Sequence, residues 1–256
     1  MTQMANPQEK NEDRGGKTPR RGTDAKHTVM ITGASSGFGT HLVKAFSHAG
    51  YNLVANARDE AKLAVLKSSV AKAKDLGFVG VIADIRNEKG LEELVSALAK
   101  QNVDVLINNA GVNPELQSRG RTNNTDEIQN IILTNMSSAI AMCTSAYEYF
   151  SARGGGIIIN INSVAGLKGN YNEAVYSASK FGLRGFSESV KDEWLKKGVR
   201  MIDVYSGAIA TGMSSHRADV AGLINPSELA EFLVGLCETK SFFVRELNVQ
   251  KTGDAL

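Results

Sequence analysis

The chain has 256 residues, 42% of them hydrophobic and 22% charged, the composition of a globular protein with one sizeable core. Its formal net charge of +2 falls entirely within residues 1–26, which hold six basic and four acidic side chains and leave the body formally neutral. A neutral body has no electrostatic footprint for nucleic acid, and no apolar run approaches the ~18–20 residues that a membrane span needs.

Residues 1–26 are polar, rich in Gly, Lys, Arg and Asn, and lack the hydrophobic stretch of a secretory signal. They are expected to form a disordered polar tail, with 27–256 as one folded domain. The absence of targeting signals points to the cytoplasm. Cys143 and Cys237 have no C-x-x-C spacing and sit in apolar helical surroundings, so they read as two buried thiols in a reducing compartment. His27, His41, His48 and His216 do not cluster as metal ligands, and no metal site is expected.

His27–Thr32 reads as a short buried strand that runs into the turn GASSGFG, residues 33–39, and then a helix ending at Gly50. Strand, glycine turn and helix is the setting in which backbone N–H groups and a helix N-terminus meet phosphate. Tyr51–Ala55 is a second strand. Arg58 stands just past its end, where a dinucleotide fold reads the adenosine ribose. A guanidinium there suits a 2′-phosphate. Asp59 is an alternative reader, or a first-turn acid of the next helix, which suits the helix dipole.

Ala61–Leu76 is expected as a helix, Phe78–Ile82 as a strand with Asp84 beyond it, and Glu88–Lys100 as a helix. Val103–Ile107 is a fourth strand leading into Asn108-Asn109-Ala110-Gly111. Asn124 and Glu127 have capping-box spacing, opening a helix to about Phe150 that carries Asn135. Gly154–Gly156 break it. Ile157–Ile161 is a fifth strand with Ser163 just beyond. Val175–Trp194 has a helical apolar rhythm in Phe186, Val190 and Trp194. Val199–Val204 is a sixth strand ending at Ser206-Gly207. Ser227–Cys237 is a helix opened by Pro226, and Leu247–Gln250 a last strand. This alternation argues for a doubly wound, mostly parallel α/β sheet of about seven strands with helices on both faces, Rossmann-like and single-domain. The ligand crevice belongs at the carboxyl ends of the strands, where Gly33–Gly39, Arg58, Asp84, Asn108, Ser163 and Ser206 fall.

Tyr176 and Lys180 are four residues apart on the helix Val175–Trp194 and so share one face. A neighbouring cation favours phenolate, which makes Tyr176 a candidate proton donor and acceptor. Alone, such a pair is more often a solvated face. Its weight comes from Ser163, which a strand end can bring beside the phenol.

Together these residues resemble the single-domain short-chain dehydrogenases/reductases, from Thr28 to Gln250. TGASSGFG matches the family's T-G-x-x-x-G-x-G turn at Thr32, Gly33, Gly37 and Gly39. NNAG matches at Asn108–Gly111, YSASK matches Y-x-x-x-K, and Ser163 stands at the family's usual offset before the tyrosine. Asn135 matches the helix asparagine. The resemblance implies a catalytic set of Asn135, Ser163, Tyr176 and Lys180. Ser163 would hydrogen-bond the substrate oxygen and Tyr176 would exchange its proton. Lys180 would acidify the tyrosine and bind ribose, and Asn135 would hold a relay water.

The resemblance also implies a dinucleotide site. Thr32, Gly33, Ser35, Ser36, Gly37, Phe38 and Gly39 would form its turn. Arg58, Asp84, Ile85, Asn108, Ala110 and Gly111 would also bind the cofactor, with Asp84 reading the adenine ring. Tyr176, Lys180, Gly207, Ile209 and Thr211 would line the nicotinamide side. NADP(H) is the preferred cofactor and NAD(H) the alternative. The implied partners are a small carbonyl or alcohol substrate and a second copy of the chain, as homodimer or homotetramer through the two long helices. Phe186, Val190 and Trp194 read equally as that interface or as core.

Two features depart from the family pattern. Ser206 replaces the usual proline before Gly207, and Asn162 stands where a serine often precedes the catalytic one, a replacement not expected to touch the chemistry. The short segment after Thr211 suggests a small substrate. Loops near 112–123, 164–175 and 208–225 bring Asn113, Arg119, Arg121, Lys168, Asn170, His216 and Arg217 to the pocket, which hints at a polar or anionic substrate or, equally, reflects loops that are simply exposed. One rival reading is a non-catalytic NADP(H)-binding sensor of the same fold. Another is a Ser–Lys hydrolase using Ser163 and Lys180, which needs a base within reach of the serine.

Overall fold

The computed structural model describes residues 26–71, 76–114, 122, 124–214 and 222–252. The expected tail lies outside the described residues, Lys26 excepted. The strands are β1 (Thr28–Ile31), β2 (Asn52–Ala57), β3 (Phe78–Ile82), β4 (Val105–Asn108), β5 (Gly156–Ser163), β6 (Val199–Ser206) and β7 (Glu246–Val249). They form one sheet in the order β3-β2-β1-β4-β5-β6-β7, and every described pairing is parallel. The chain is a single Rossmann-like domain, as expected. Chain direction across the sheet reverses between β1 and β4, and a crevice opens there at the carboxyl ends.

β1 reads TVMI and β4 reads VLIN, and every residue of both is buried. Strands covered on both faces need no polar alternation. Their side chains still alternate by face. Val29, Ile31, Val105 and Ile107 join a core with Leu42 and Phe46 of α1 (Phe38–His48), Leu63 and Leu66 of α2 (Glu60–Val70) and Leu233 of α7 (Pro226–Glu238). Met30, Leu106 and Ile158 join the opposite core. There they meet Leu94 and Leu98 of α3 (Glu88–Lys100), Met142 and Phe150 of α5 (Ser138–Ala152) and Trp194 of α6 (Ala174–Leu195). Each such side chain contributes about 1.5–3 kcal/mol when fully buried.

Trp194 stacks on Tyr147 of α5 with ring centroids 4.4 Å apart, and Phe186 meets it edge-on. The Phe186, Val190 and Trp194 stripe is therefore packed within the chain. Both cysteines are free and buried.

Several boundaries move. α2 stops at Val70 rather than Leu76, capped by Ala71. β5 and β6 run on to Ser163 and Ser206, which are paired in register, so Ser163 is a strand residue and not a loop residue. The helix expected over 125–150 is in two parts, α4 (Thr125–Ile132) and α5, joined by a π-helical turn at Leu133–Ser137 that carries Asn135. Asn124 caps α4 by accepting from the N–H groups of Asp126 and Glu127. The expected capping box closes differently: Thr122 Oγ1 donates to Glu127 Oε2 at 2.7 Å and accepts from Asn124 N at 3.1 Å. Asn225 caps α7, with Pro226 as its first residue. Among the described residues no helix is long and apolar enough to cross a membrane. None of their His, Cys, Asp or Glu side chains group to hold a metal ion.

Candidate active site

The glycine turn lies between β1 and α1. Gly33 has φ +63° and Gly37 φ +54°, a region that favours glycine. A Cβ on Gly33 would lie 2.8 Å from Ala110 Cα, and one on Gly39 would lie 2.3 Å from the Gly33 carbonyl oxygen. No side chain caps α1; the Gly39 N–H donates to the Ser36 carbonyl at 3.1 Å, and Gly37 and Phe38 at the helix start line the cleft. The turn fits a pyrophosphate.

Side-chain ties hold this turn in place. Asn56 of β2 donates to the carbonyls of Val81 and Ala83, and its Oδ1 accepts from Gly33 N at 3.4 Å. Asn109 Nδ2 donates to the carbonyls of Thr32 and Gly33 at 2.9 and 3.1 Å. Thr32 Oγ1 accepts from the N–H groups of Asn109 and Ala110. Thr32 and Gly39 thus shape the turn from behind. Sequence reasoning missed Asn56 and passed over Asn109, although the NNAG run contained it.

The turn opens on a cleft of about 1320 Å³, larger than the ~300–1,000 Å³ usual for one small ligand. Gly33, Ser35, Ser36, Gly37, Phe38, Arg58, Asp84, Ile85, Ala110, Gly111, Ser163, Tyr176, Lys180, Gly207, Ile209 and Thr211 all line it, as the sequence led us to expect. Asn108 does not. It is buried behind the wall, and its Nδ2 donates to Asn160 Oδ1 at 2.9 Å and to Cys143 Sγ at 3.1 Å. Its amide fastens β4 to β5 and α5.

At the β2–β3 side Asp59 caps α2, its Oδ1 accepting from Lys62 N at 3.0 Å. Arg58 and Lys62 both line the cleft at this side. Asp84 is not a free acceptor. Arg86 grips its carboxylate through Nε at 2.9 and 3.1 Å and through Nη2. The guanidinium bonds hold the Asp84 carboxyl down at about 2, against the opposing effect of burial. Arg86 also lines the cleft, two residues past the acid that sequence reasoning chose.

β5 delivers Ser163 and α6 delivers Tyr176 and Lys180. A hydrogen bond joins Ser163 to the Tyr176 phenol. Lys180 Nζ donates to the Ile161 carbonyl at 2.8 Å and lies 5.7 Å from the Tyr176 ring centroid. The expected acidification of Tyr176 does not occur in this arrangement. Burial pushes the phenol up to about 12, the Ser163 hydrogen bond opposes it and Glu173 adds to it. Burial also pushes Lys180 down to about 8. Desolvation disfavours both charged forms, and the ammonium is directed at a carbonyl.

The expected water-holding side chain of Asn135 is engaged as well. Its Oδ1 accepts from Val112 N at 2.8 Å. Its Nδ2 donates to Val112 O at 2.9 Å and Ser179 Oγ at 3.2 Å. It fixes α6 and the loop after β4 rather than facing the cleft. Of the loop residues expected at the substrate end, Asn113, Lys168 and Asn170 line the cleft. Arg119, Arg121, His216 and Arg217 lie outside the described residues.

A family model described as short chain dehydrogenase matches residues 27–221. The chain belongs to the short-chain dehydrogenase/reductase family, an oxidoreductase family acting on carbonyl and CH–OH groups. It is 32% identical over 221 residues to a ketoacyl reductase, HetN, of a Nostoc species, covering 84% of this chain and 76% of the relative. It is 33% identical over 188 residues to a 3-oxoacyl-(acyl-carrier-protein) reductase of Bos taurus, covering 72% and 76%. The solved structure of a metagenomic short-chain oxidoreductase in complex with NADP matches with TM-score 0.76 at 27% identity, over 89% of this chain and 98% of that one.

Proposed function

We propose that the chain interconverts a small carbonyl compound and its secondary alcohol with NADP(H). The observation that carries this reading is the meeting of Ser163, Tyr176 and Lys180 on the cleft into which the glycine turn opens. Ser163 donates a hydrogen bond to the substrate oxygen, where negative charge develops. Tyr176 gives that oxygen its proton in reduction and takes it back in oxidation. Burial keeps the phenol protonated at neutral pH, the form that donates. Lys180 holds the ribose hydroxyls from its place beside Ile161. The nicotinamide, when bound, supplies or accepts the hydride. Arg58 meets the 2′-phosphate, with NAD(H) as the weaker alternative. Asn135 acts by positioning Val112 and Ser179.

Homo-oligomerisation through α4, α5 and α6 is part of the reading, supported by Leu133 of the turn between α4 and α5 and Phe181 of α6, which stay 40% and 41% exposed. A cytoplasmic setting fits the buried free thiols. The test is a carbonyl and alcohol panel with NADPH and NADH side by side. The names of the two relatives put 3-oxoacyl thioesters first in that panel. Consumption of NADPH with one carbonyl supports the reading. Binding of NADPH without turnover on any of them supports the non-catalytic sensor instead. Ester hydrolysis without nucleotide would favour the Ser–Lys reading, in which the Ser163–Tyr176 bond has no place.

A further inference from the structure

Among the described residues, five buried side-chain oxygens have no hydrogen-bond partner: those of Ser47, Asn108, Asn113, Asp203 and Tyr205. Of these residues only Asn113 lines the cleft. A buried acceptor left unsatisfied opposes folding, and in a cleft wall it calls for a partner from outside the chain.

Asn113 is 5% exposed, and its place is fixed from behind. Asn135 clamps the main chain of Val112, one residue earlier, in both directions: Oδ1 accepts from Val112 N and Nδ2 donates to Val112 O. Asn135 Nδ2 also donates to Ser179 Oγ, which donates to the Tyr176 carbonyl at 2.6 Å. The loop that carries Asn113 is thus tied to the helix turn that carries the reacting phenol. Gly111, Val112 and Pro114 of the same loop line the cleft beside it.

An amide has a carbonyl oxygen that accepts and an NH2 group that donates. With no bond holding Oδ1, a half-turn of the side chain brings either end to the cleft. A hydroxyl also donates and accepts, so it meets this amide in both orientations. An alkyl group meets neither end and leaves the oxygen unsatisfied. A neutral amide requires no charge on its ligand. We propose that Asn113 is a specificity-determining residue whose amide hydrogen-bonds a second oxygen of the substrate, a hydroxyl on the carbon beside the reacting carbonyl or on the next one. The chain then selects hydroxy ketones, and the diols that correspond to them, over simple ketones. The inference rests on the oxidoreductase reading above and concerns only which carbonyl compounds are chosen.

The experiment compares kcat/KM for butan-2-one, 3-hydroxybutan-2-one and 4-hydroxybutan-2-one, with NADPH and with NADH. It uses the full chain, Asn113→Leu and Asn113→Ala, with the Tm of each. One hydroxy ketone should exceed butan-2-one by about tenfold or more in the unaltered chain. Asn113→Leu keeps the size and removes the amide, and that ratio should fall by about tenfold. Its Tm should hold or rise, since the unsatisfied oxygen is gone. Asn113→Ala should lose the preference as well. A hydroxy ketone ratio at or below about one in the unaltered chain would overturn the inference on its own, even if neither variant folds, and would leave water as the partner of the amide. A preference that survives both variants, whatever their Tm, would also overturn it, since the hydroxyl would then be read elsewhere or favoured by its own reactivity. No turnover of any of the three ketones with either nucleotide would count against the oxidoreductase reading itself and take this inference with it.

Discussion

Asn162 ties the end of β5 to Lys180: its Nδ2 donates to the Lys180 main-chain carbonyl at 3.3 Å, while its Oδ1 accepts from Ser163 N at 2.9 Å. One buried amide thus sets the distance between the strand that carries Ser163 and the helix that carries Tyr176. A serine at this place is too short to make both bonds. Asn162→Ala should lower kcat by about 10- to 100-fold, the cost of a misplacement near 1 Å. Nucleotide affinity should change little. Steady-state kinetics beside a titration with NADPH measures both, and an unaltered kcat would strip Asn162 of its positioning role.

Tyr176→Phe removes the exchangeable proton and keeps the ring. Turnover should fall by about 100- to 10,000-fold, with nucleotide binding retained. Direction matters for pH. The phenol, raised to about 12 by burial, is in its donating form throughout the neutral range, so reduction should hold steady there. Oxidation needs phenolate and should quicken as pH rises from 7 to 10. Initial rates in both directions across that range check this. Oxidation that does not respond to pH would mean that another group takes the proton.

The parts of this site that reside in one element were legible in the sequence. Gly33, Gly37 and Gly39 announce a turn because backbone conformation and close approach restrict the residue type there. Tyr176 and Lys180 share a face because a helix repeats. The sheet followed from alternating apolar runs. What stayed hidden acts across elements. Asn56, Asn109, Asn162 and Arg86 take their roles from neighbours that only the strand order supplies. Asn108 looked like a cleft residue because it ends a strand, yet its side chain points to Asn160 and Cys143. The sign of the shift at Tyr176 was likewise invisible. Spacing shows that a cation is near, but burial is the larger influence on the phenol.

Arg58 is the only side chain here assigned to the 2′-phosphate, since Asp59 is engaged as a helix cap. Arg58→Asp should lower the ratio of kcat/KM for NADPH over NADH by about tenfold or more, through loss of a guanidinium–phosphate pair and gain of repulsion. Kinetics with both nucleotides measures the ratio. A ratio that does not move would relocate phosphate recognition, with Lys62 and Arg86 the next residues to alter.

Asp203 of β6 is fully buried, and its Oδ2 has no hydrogen-bond partner. Oδ1 accepts from Ser187 Oγ at 2.9 Å and Asn160 Nδ2 at 3.2 Å. Burial raises the carboxyl to about 6 against these two bonds and the Lys191 ammonium. The folded chain therefore binds this proton more tightly than the unfolded chain, where an aspartate titrates near about 4. The stabilisation is full below that value and is lost as pH rises through about 6. Asp203→Asn keeps an acceptor oxygen for Ser187 and Asn160 and cannot ionise. Relative to the unaltered chain, its Tm should therefore rise by several degrees between pH 4 and pH 7, at roughly 2–4 °C for each kcal/mol. Thermal unfolding at the two pH values measures the gap. A gap that stays constant would mean that Asp203 does not change its protonation on folding, and the pH dependence would have to come from other carboxylates.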